Sequence, residues 1–224
     1  DTIKTKAELA SITDIPLFGV IPNISARKGE NAKKDLFAYS QPKSTVSEAC
    51  RGIRTALSYS SQKQENRVYL VTTAGPKEGK TTTSLLLAQN AAALGKSVLL
   101  MECDLRRRTF RSYFAEKPGG GLLSVLSEAM SFDEAVRHDG ATGLDVRMGE
   151  ETKTNAADGF SSRRFEACLT EMRGRYDMVV IDTPPVLAVP DARVIAPLVD
   201  AVLYCVRWNV THRELVRNGL QMFS

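Results

Sequence analysis

No stretch of this sequence stays apolar for the ~18–20 residues that a helix needs to cross a bilayer. Its opening, Asp1-Thr2-Ile3-Lys4, leads into no apolar core of a signal peptide. A start without Met and an end at Ser224 read as a domain cut from a longer protein. Cysteine is scarce as well. Cys50, Cys103, Cys168 and Cys205 share no C-x-x-C spacing, which argues against a zinc site. Each lies beside apolar residues, as expected of reduced, buried thiols in a cytosolic compartment. Strong charge of one sign is also missing, the formal net charge being only +4. The basic runs Arg106-Arg107-Arg108, Lys33-Lys34 and Arg163-Arg164 lack interleaved aromatics, so no nucleic-acid partner is expected. Such arginines suit a phosphate, an acidic partner chain or an anionic membrane surface instead.

What is present is an ordinary globular composition, with 43% hydrophobic and 25% charged residues in 224, enough for one α/β domain with an N-terminal extension. Residues 1–43 form that extension. Leu17–Pro22, apolar and closed by proline, reads as a short strand, and the polar stretch 23–43 as a loop. Residues 44–224 form the main domain. Thr45–Ser60 reads as a helix opened by the capping box Thr45-x-x-Glu48, with Val46, Ala49, Ile53 and Leu57 on its apolar face. Glu48, Arg51 and Arg54 sweep the opposite face.

From Arg67 onward strand and helix signals alternate. Val68–Thr73, Val98–Met101, Leu144–Met148, Met178–Ile181 and Ala201–Val206 read as strands. Lys80–Leu94, Leu122–Ala129, Phe132–Val136 with Ser131 as N-cap, Ser162–Arg173 and Asp191–Ala196 read as helices. A last helix is predicted to open with the capping box Thr211-x-x-Glu214. Short apolar strands separated by helices predict an α/β fold of the P-loop NTPase type, a mostly parallel sheet with helices on both faces.

Three motifs carry chemistry. Ala74-Gly75-Pro76-Lys77-Glu78-Gly79-Lys80-Thr81 has the P-loop pattern between a predicted strand and a predicted helix. Its backbone amides would cradle phosphates, helped by the helix N-terminus. Lys80 would reach the β- and γ-phosphates of ATP, the Thr81 hydroxyl would bind Mg²⁺, and Thr82 adjoins them. Met178–Asp182 is an apolar strand ending in an acid, the place and type of a Walker B carboxylate. Leu99–Arg106 ends another strand with Glu102 and Asp104, which share one side of the pleat if the strand extends that far. One acid would bind Mg²⁺ and the other accept a hydroxyl proton.

Together these motifs resemble the bacterial tyrosine kinases, the cytoplasmic ATPase-like domains attached to polysaccharide chain-length regulators. Glu102–Arg106 matches that family's D-x-D-x-R element. Glu48-Ala49-Cys50-Arg51-Gly52-Ile53-Arg54 matches its E-x-x-R-x-x-R helix, and Leu17–Pro22 its apolar lead-in. The resemblance covers roughly residues 10–215. It implies an ATP- and Mg²⁺-dependent protein-tyrosine kinase that autophosphorylates in trans and regulates exopolysaccharide synthesis and export. It implies Lys80 as the phosphate lysine, Thr81 and Asp104 as Mg²⁺ ligands, and Asp182 as the Walker B acid. Glu102 stands where the family has an aspartate proposed as catalytic base. Arg207 and Asn209 are candidates for the base or ribose edge. Glu48, Arg51 and Arg54 are implied ring contacts, and the implied location is the cytoplasmic side of a bacterial inner membrane. The implied partners are a transmembrane chain-length-regulator portion and the polysaccharide export machinery.

Two features depart from the pattern. Glu102 is one methylene longer than aspartate, and a shift of about 1 Å at a reacting group can cost on the order of 10²-fold in rate. Tyr39, Tyr59, Tyr69, Tyr113, Tyr176 and Tyr204 are scattered, where the family usually carries a C-terminal tyrosine cluster. Two other readings stay open. A partitioning-type switch ATPase would carry a signature lysine where this chain has Gly75. A nucleotide-gated scaffold would bind ATP with little turnover.

Overall fold

The strands form because valine, leucine and isoleucine alternate between two buried faces. In the computed structural model, which describes residues 1–23, 43–60, 67–114, 120–151 and 156–224, β1 (Arg67–Thr73), β2 (Val98–Glu102) and β5 (Met178–Asp182) lie at the centre of a six-stranded sheet. Val71, Val98, Leu100, Met178 and Val180 point to one face, and Val68, Leu70, Leu99, Met101, Val179 and Ile181 to the other. That period of two, with both faces apolar, is the pattern of strands covered on both sides. The order is β3-β4-β2-β5-β1-β6, completed by β3 (Arg137–Asp139), β4 (Leu144–Arg147) and β6 (Ala201–Cys205). All neighbouring strands run parallel except β3, which pairs antiparallel with β4.

The first face is covered by α2 (Thr45–Ser60) and α3 (Lys80–Ala92), which follow the short α1 (Lys6–Ala10) in the chain. Val46, Cys50, Ile53 and Leu57 of α2 meet Leu85, Leu86, Ala88 and Ala91 of α3 in one cluster. Asn90 on α3 donates to Ser47 Oγ on α2 at 3.0 Å, tying the two helices together. On the second face lie α4 (Leu122–Leu126), α5 (Phe132–Ala135), α6 (Ala156–Phe160), α7 (Arg163–Arg175) and α8 (Asp191–Ile195), anchored by Phe160, Phe165, Leu169, Met172 and Ile195. The chain closes with α9 (Arg213–Gln221).

Several expectations are corrected. Leu17–Pro22 is not a strand, because no strand of the sheet pairs with it. It is irregular chain whose Phe18 and Ile21 pack on the first cluster, and Gly19 passes so close to α2 that a Cβ there would lie 2.6 Å from Ile53 Cγ1. Thr45 is not the cap of α2; it is the first helical residue. Ser44 Oγ accepts the Ser47 amide at 3.0 Å, leaving Glu48 to pair with Arg51 at 3.1 Å. Cys50, rather than Ala49, takes the inward position. Leu122–Ala129 is helical only to Leu126. β6 is a half-buried edge strand that ends at Cys205, one residue short of the predicted Val206. Thr211 caps nothing, since His212 precedes α9 and Thr211 is engaged elsewhere. Ser131 does cap α5, in a full capping box with Glu134. α1, β3 and α6 were not expected; each has only three to five residues, too few for a periodic signal. Most of the predicted loop 23–43, with Lys33, Lys34 and Tyr39, lies outside the described residues.

Ser44→Ala is expected to cost about 1 kcal/mol in urea unfolding, and Thr45→Ala less than about 0.5 kcal/mol. The reverse order would return the cap to Thr45.

Candidate functional site

The site begins where β1 ends. Thr73 Oγ1 donates to the Gly75 carbonyl at 2.7 Å, starting the turn that leads to α3. Gly79 sits at φ 99°, a left-handed conformation that favours glycine, and Lys77 is left-handed as well, at φ 65°. Gly79 then forms the N-terminus of α3 with no side-chain cap, so the first-turn amides of α3 face the loop. That is the arrangement in which a helix end and a loop together receive an anion.

The three motifs converge on Lys80. Its side chain is about 8% exposed, and its ammonium lies 2.8 Å from Asp104 Oδ2 and 3.5 Å from Asp182 Oδ2. Thr81 donates its hydroxyl to Asp182 Oδ2 at 2.7 Å, and Ser84 Oγ reaches Asp182 Oδ1 at 3.4 Å. Parallel pairing explains the meeting: β5 lies between β1 and β2, so its terminal acid falls beside the turns that leave both neighbours. Asp182 is fully buried. Burial pushes its carboxyl up to about 6, opposed by Lys80 and Thr81 and reinforced by Asp104. Asp104 Oδ1 accepts the Arg107 amide at 3.2 Å, while Oδ2 faces Lys80 without any aligned hydrogen bond.

Glu102 is not brought onto Lys80. It lies opposite Asp182 in the register, fully buried, and both of its oxygens are taken. Oε1 accepts the Phe110 amide at 2.8 Å and Oε2 the Gly149 amide at 3.0 Å. Burial lifts its carboxyl to about 7, against those two donors and with help from Asp182 and Asp104.

The other predicted residues divide. Arg207 reaches the P-loop, but its guanidinium donates to the Lys77 carbonyl at 2.8 Å. Asn209 faces the N-terminal segment, where its side chain accepts from the Thr2 hydroxyl at 3.1 Å. Glu48 is exposed and Arg51 and Arg54 are half-exposed on the outer side of α2; burial and Arg51 lower the Arg54 pKa. Pro76 and Lys77 are exposed at the loop's tip, while Glu78 is buried under it. Lys77–Thr83 line an open groove of about 1130 Å³, with Arg107, Tyr113, Trp208 and the segment Ile15–Asn23 on its other sides.

Two groups escaped the sequence reading. Asp191, fully buried at the start of α8, accepts from Arg106 Nη1 at 2.9 Å. Burial raises its pKa while Arg106 opposes the rise. Thr211 donates to Glu78 Oε1 at 2.8 Å. Neither contact carries a local signal, because each partner lies more than eighty residues away.

The oxygen donors fit Mg²⁺. A hydroxyl and two carboxylates meet at the P-loop lysine, and Asp104 Oδ2 is engaged there by the Lys80 ammonium alone. Among the described residues no group of three or more His, Cys, Asp or Glu side chains is placed to hold a metal ion.

A family model described as an AAA domain matches residues 75–207. Tyrosine-protein kinase YwqD of Bacillus subtilis is 35% identical over 84% of this chain and 79% of its own length. Tyrosine-protein kinase ptk of Acinetobacter johnsonii is 28% identical over 99% of this chain, which spans only 31% of that relative. Among solved structures, the kinase domain of the Escherichia coli tyrosine kinase ETK superposes with a TM-score of 0.89 at 26% identity, covering 99% of this chain and 89% of that one.

Glu102 makes stability depend on pH. The folded chain holds its proton to about 7, whereas the unfolded chain releases it near the ordinary 4.5. The native state therefore binds more protons in that window, and stability falls as pH rises through it. Glu102→Gln is expected to flatten the fall by about one proton in urea unfolding between pH 4.5 and 7.5. An unchanged slope would show that another group titrates.

Proposed function

The chain belongs to the family of bacterial tyrosine-protein kinases, and on that premise we propose that this site transfers the γ-phosphoryl group of ATP to a tyrosine hydroxyl. The observation that carries the reading is the meeting of Lys80, Thr81, Asp104 and Asp182 at the mouth of the P-loop. A buried ammonium between two carboxylates is a charge held in place until a more anionic partner arrives. A triphosphate in the cradle is that partner. Lys80 then leaves the acids for the β- and γ-phosphates, which frees the acids for the metal and for the acceptor.

Thr81, Asp104 and Asp182 are the oxygens available to Mg²⁺, which would neutralise phosphate charge. The tyrosine oxygen forms the new bond to phosphorus, the bond to the β–γ bridging oxygen breaks, and ADP departs. The phenol proton passes to a carboxylate. Asp104 suits that task by geometry, since Oδ2 has no aligned hydrogen bond, whereas Glu102 must first give up a backbone amide. Glu102 suits it by its pKa of about 7.

The wider role is proposed from the family resemblance. The acceptor tyrosine comes from a neighbouring chain in a ring assembled through Glu48, Arg51 and Arg54, which are presented outward on α2. The domain works on the cytoplasmic side of an inner membrane, beside a transmembrane chain-length-regulator portion, and governs exopolysaccharide synthesis and export.

Transfer of radiolabel from ATP to tyrosine tests the chemistry. Lys80→Met is expected to lower the rate by about 10²–10³-fold. Undiminished transfer by that variant would sink the assignment. Asp104→Asn is expected to lower the transfer rate by about 10²–10⁴-fold, the range for a lost proton acceptor, and Glu102→Gln by less than about tenfold. Arg54→Glu is expected to lower the assembled mass in light scattering, with the monomer's melting temperature unchanged.

A further inference from the structure

The P-loop carries a carboxylate of its own, beside the place where an anion binds. Glu78 is buried, and its Oε2 accepts the Gly75 amide at 2.9 Å, closing the loop across three residues. Left mobile, that charge would oppose incoming phosphates. Its other oxygen is held by one segment, residues 207–213, which runs from beyond β6 into the first residue of α9. Thr211, itself buried, donates its hydroxyl to Glu78 Oε1 at 2.8 Å and accepts the Arg207 amide at 2.9 Å. Arg207 donates to the carbonyl of Lys77, whose left-handed backbone persists only where its surroundings over-determine it. The same segment is fastened on its other side to the start of the chain. Ile3 donates its amide to the Thr211 carbonyl at 3.0 Å, and Asn209 donates to the Ile3 carbonyl at 2.7 Å. Arg213 donates its amide to Asp1 and pairs with Glu8 at 3.1 Å.

We propose that Thr211 is a positioning residue for ATP: it fixes Glu78 away from the phosphates, and through it the seating of residues 1–8 sets nucleotide affinity. The proposal rests on the reading of this loop as the ATP site. It makes the segment 207–213 a clamp, with the P-loop on one side and the N-terminal residues on the other.

The test titrates MgATP against wild type, Thr211→Val, Thr211→Ser, Glu78→Gln and the double variant Glu78→Gln/Thr211→Val, with kcat and KM measured alongside. Thr211→Val is expected to raise Kd and KM by about tenfold, the loss of one hydrogen bond to a charged group, with kcat within about twofold. Thr211→Ser restores affinity. In the Glu78→Gln background the Val substitution has little effect, because the charge it held is gone. Hydrogen exchange in residues 1–8 slows on adding MgATP in wild type and not in Thr211→Val. Wild-type affinity in Thr211→Val, failure of Ser to restore it, or an equal loss in the Glu78→Gln background overturns the proposal. Should Thr211→Val fail to fold, Thr211→Ala takes its place, with the same rise in Kd expected and wild-type affinity the overturning result. Failure of wild type to bind MgATP at all is a separate outcome and sinks the reading of the site instead.

Discussion

A lysine ammonium nearly sealed from water must be paid for by partners, and Lys80 finds them at the ends of two strands that are far apart in sequence. That requirement organises the molecule. It needs β5 between β1 and β2, so that Asp182 and the turn bearing Asp104 flank the start of α3. It needs both sheet faces covered, so that water does not screen the pair. A shift of register in β5 by one residue would turn Asp182 away and leave Lys80 half-compensated.

Glu102 illustrates how burial can assign a different task to a residue at a familiar position. Its side chain stitches the end of β2 to the turn at Phe110 and to Gly149 beyond β4. These bonds hold the loop that carries Asp104 and Arg106. The longer side chain thus acts at least as a brace for the acid beside it, whatever part it takes in proton transfer.

The central strands and α3 were legible because their signals are local: apolar alternation, the P-loop spacing and the glycine at 79. So was α2, whose bounds match, although its cap lay one residue earlier because Ser44 and Thr45 are both competent caps and only backbone geometry chooses. Leu17–Pro22 misled because apolar residues closed by proline look the same whether they pair in a sheet or lie across a helix. Thr211 misled in the same way: a Thr-x-x-Glu spacing describes a cap, but the hydroxyl found a better acceptor in Glu78, and that choice is made in three dimensions. The convergence of Lys80, Thr81, Asp104 and Asp182 followed from the strand ends, whereas Asp191 and Thr211 depend on contacts that no sequence window spans.

α2 and α3 also have a mechanical meaning. Their apolar faces interlock, and Asn90 pins one to the other, which makes them one packed unit. α3 is 13 residues long, a rod of about 20 Å whose near end is the phosphate-binding turn. The charged outer face of α2 therefore belongs to the same packed unit as the phosphate-binding turn. Between that face and Lys80 lie packed side chains and one helix, with no loop in between.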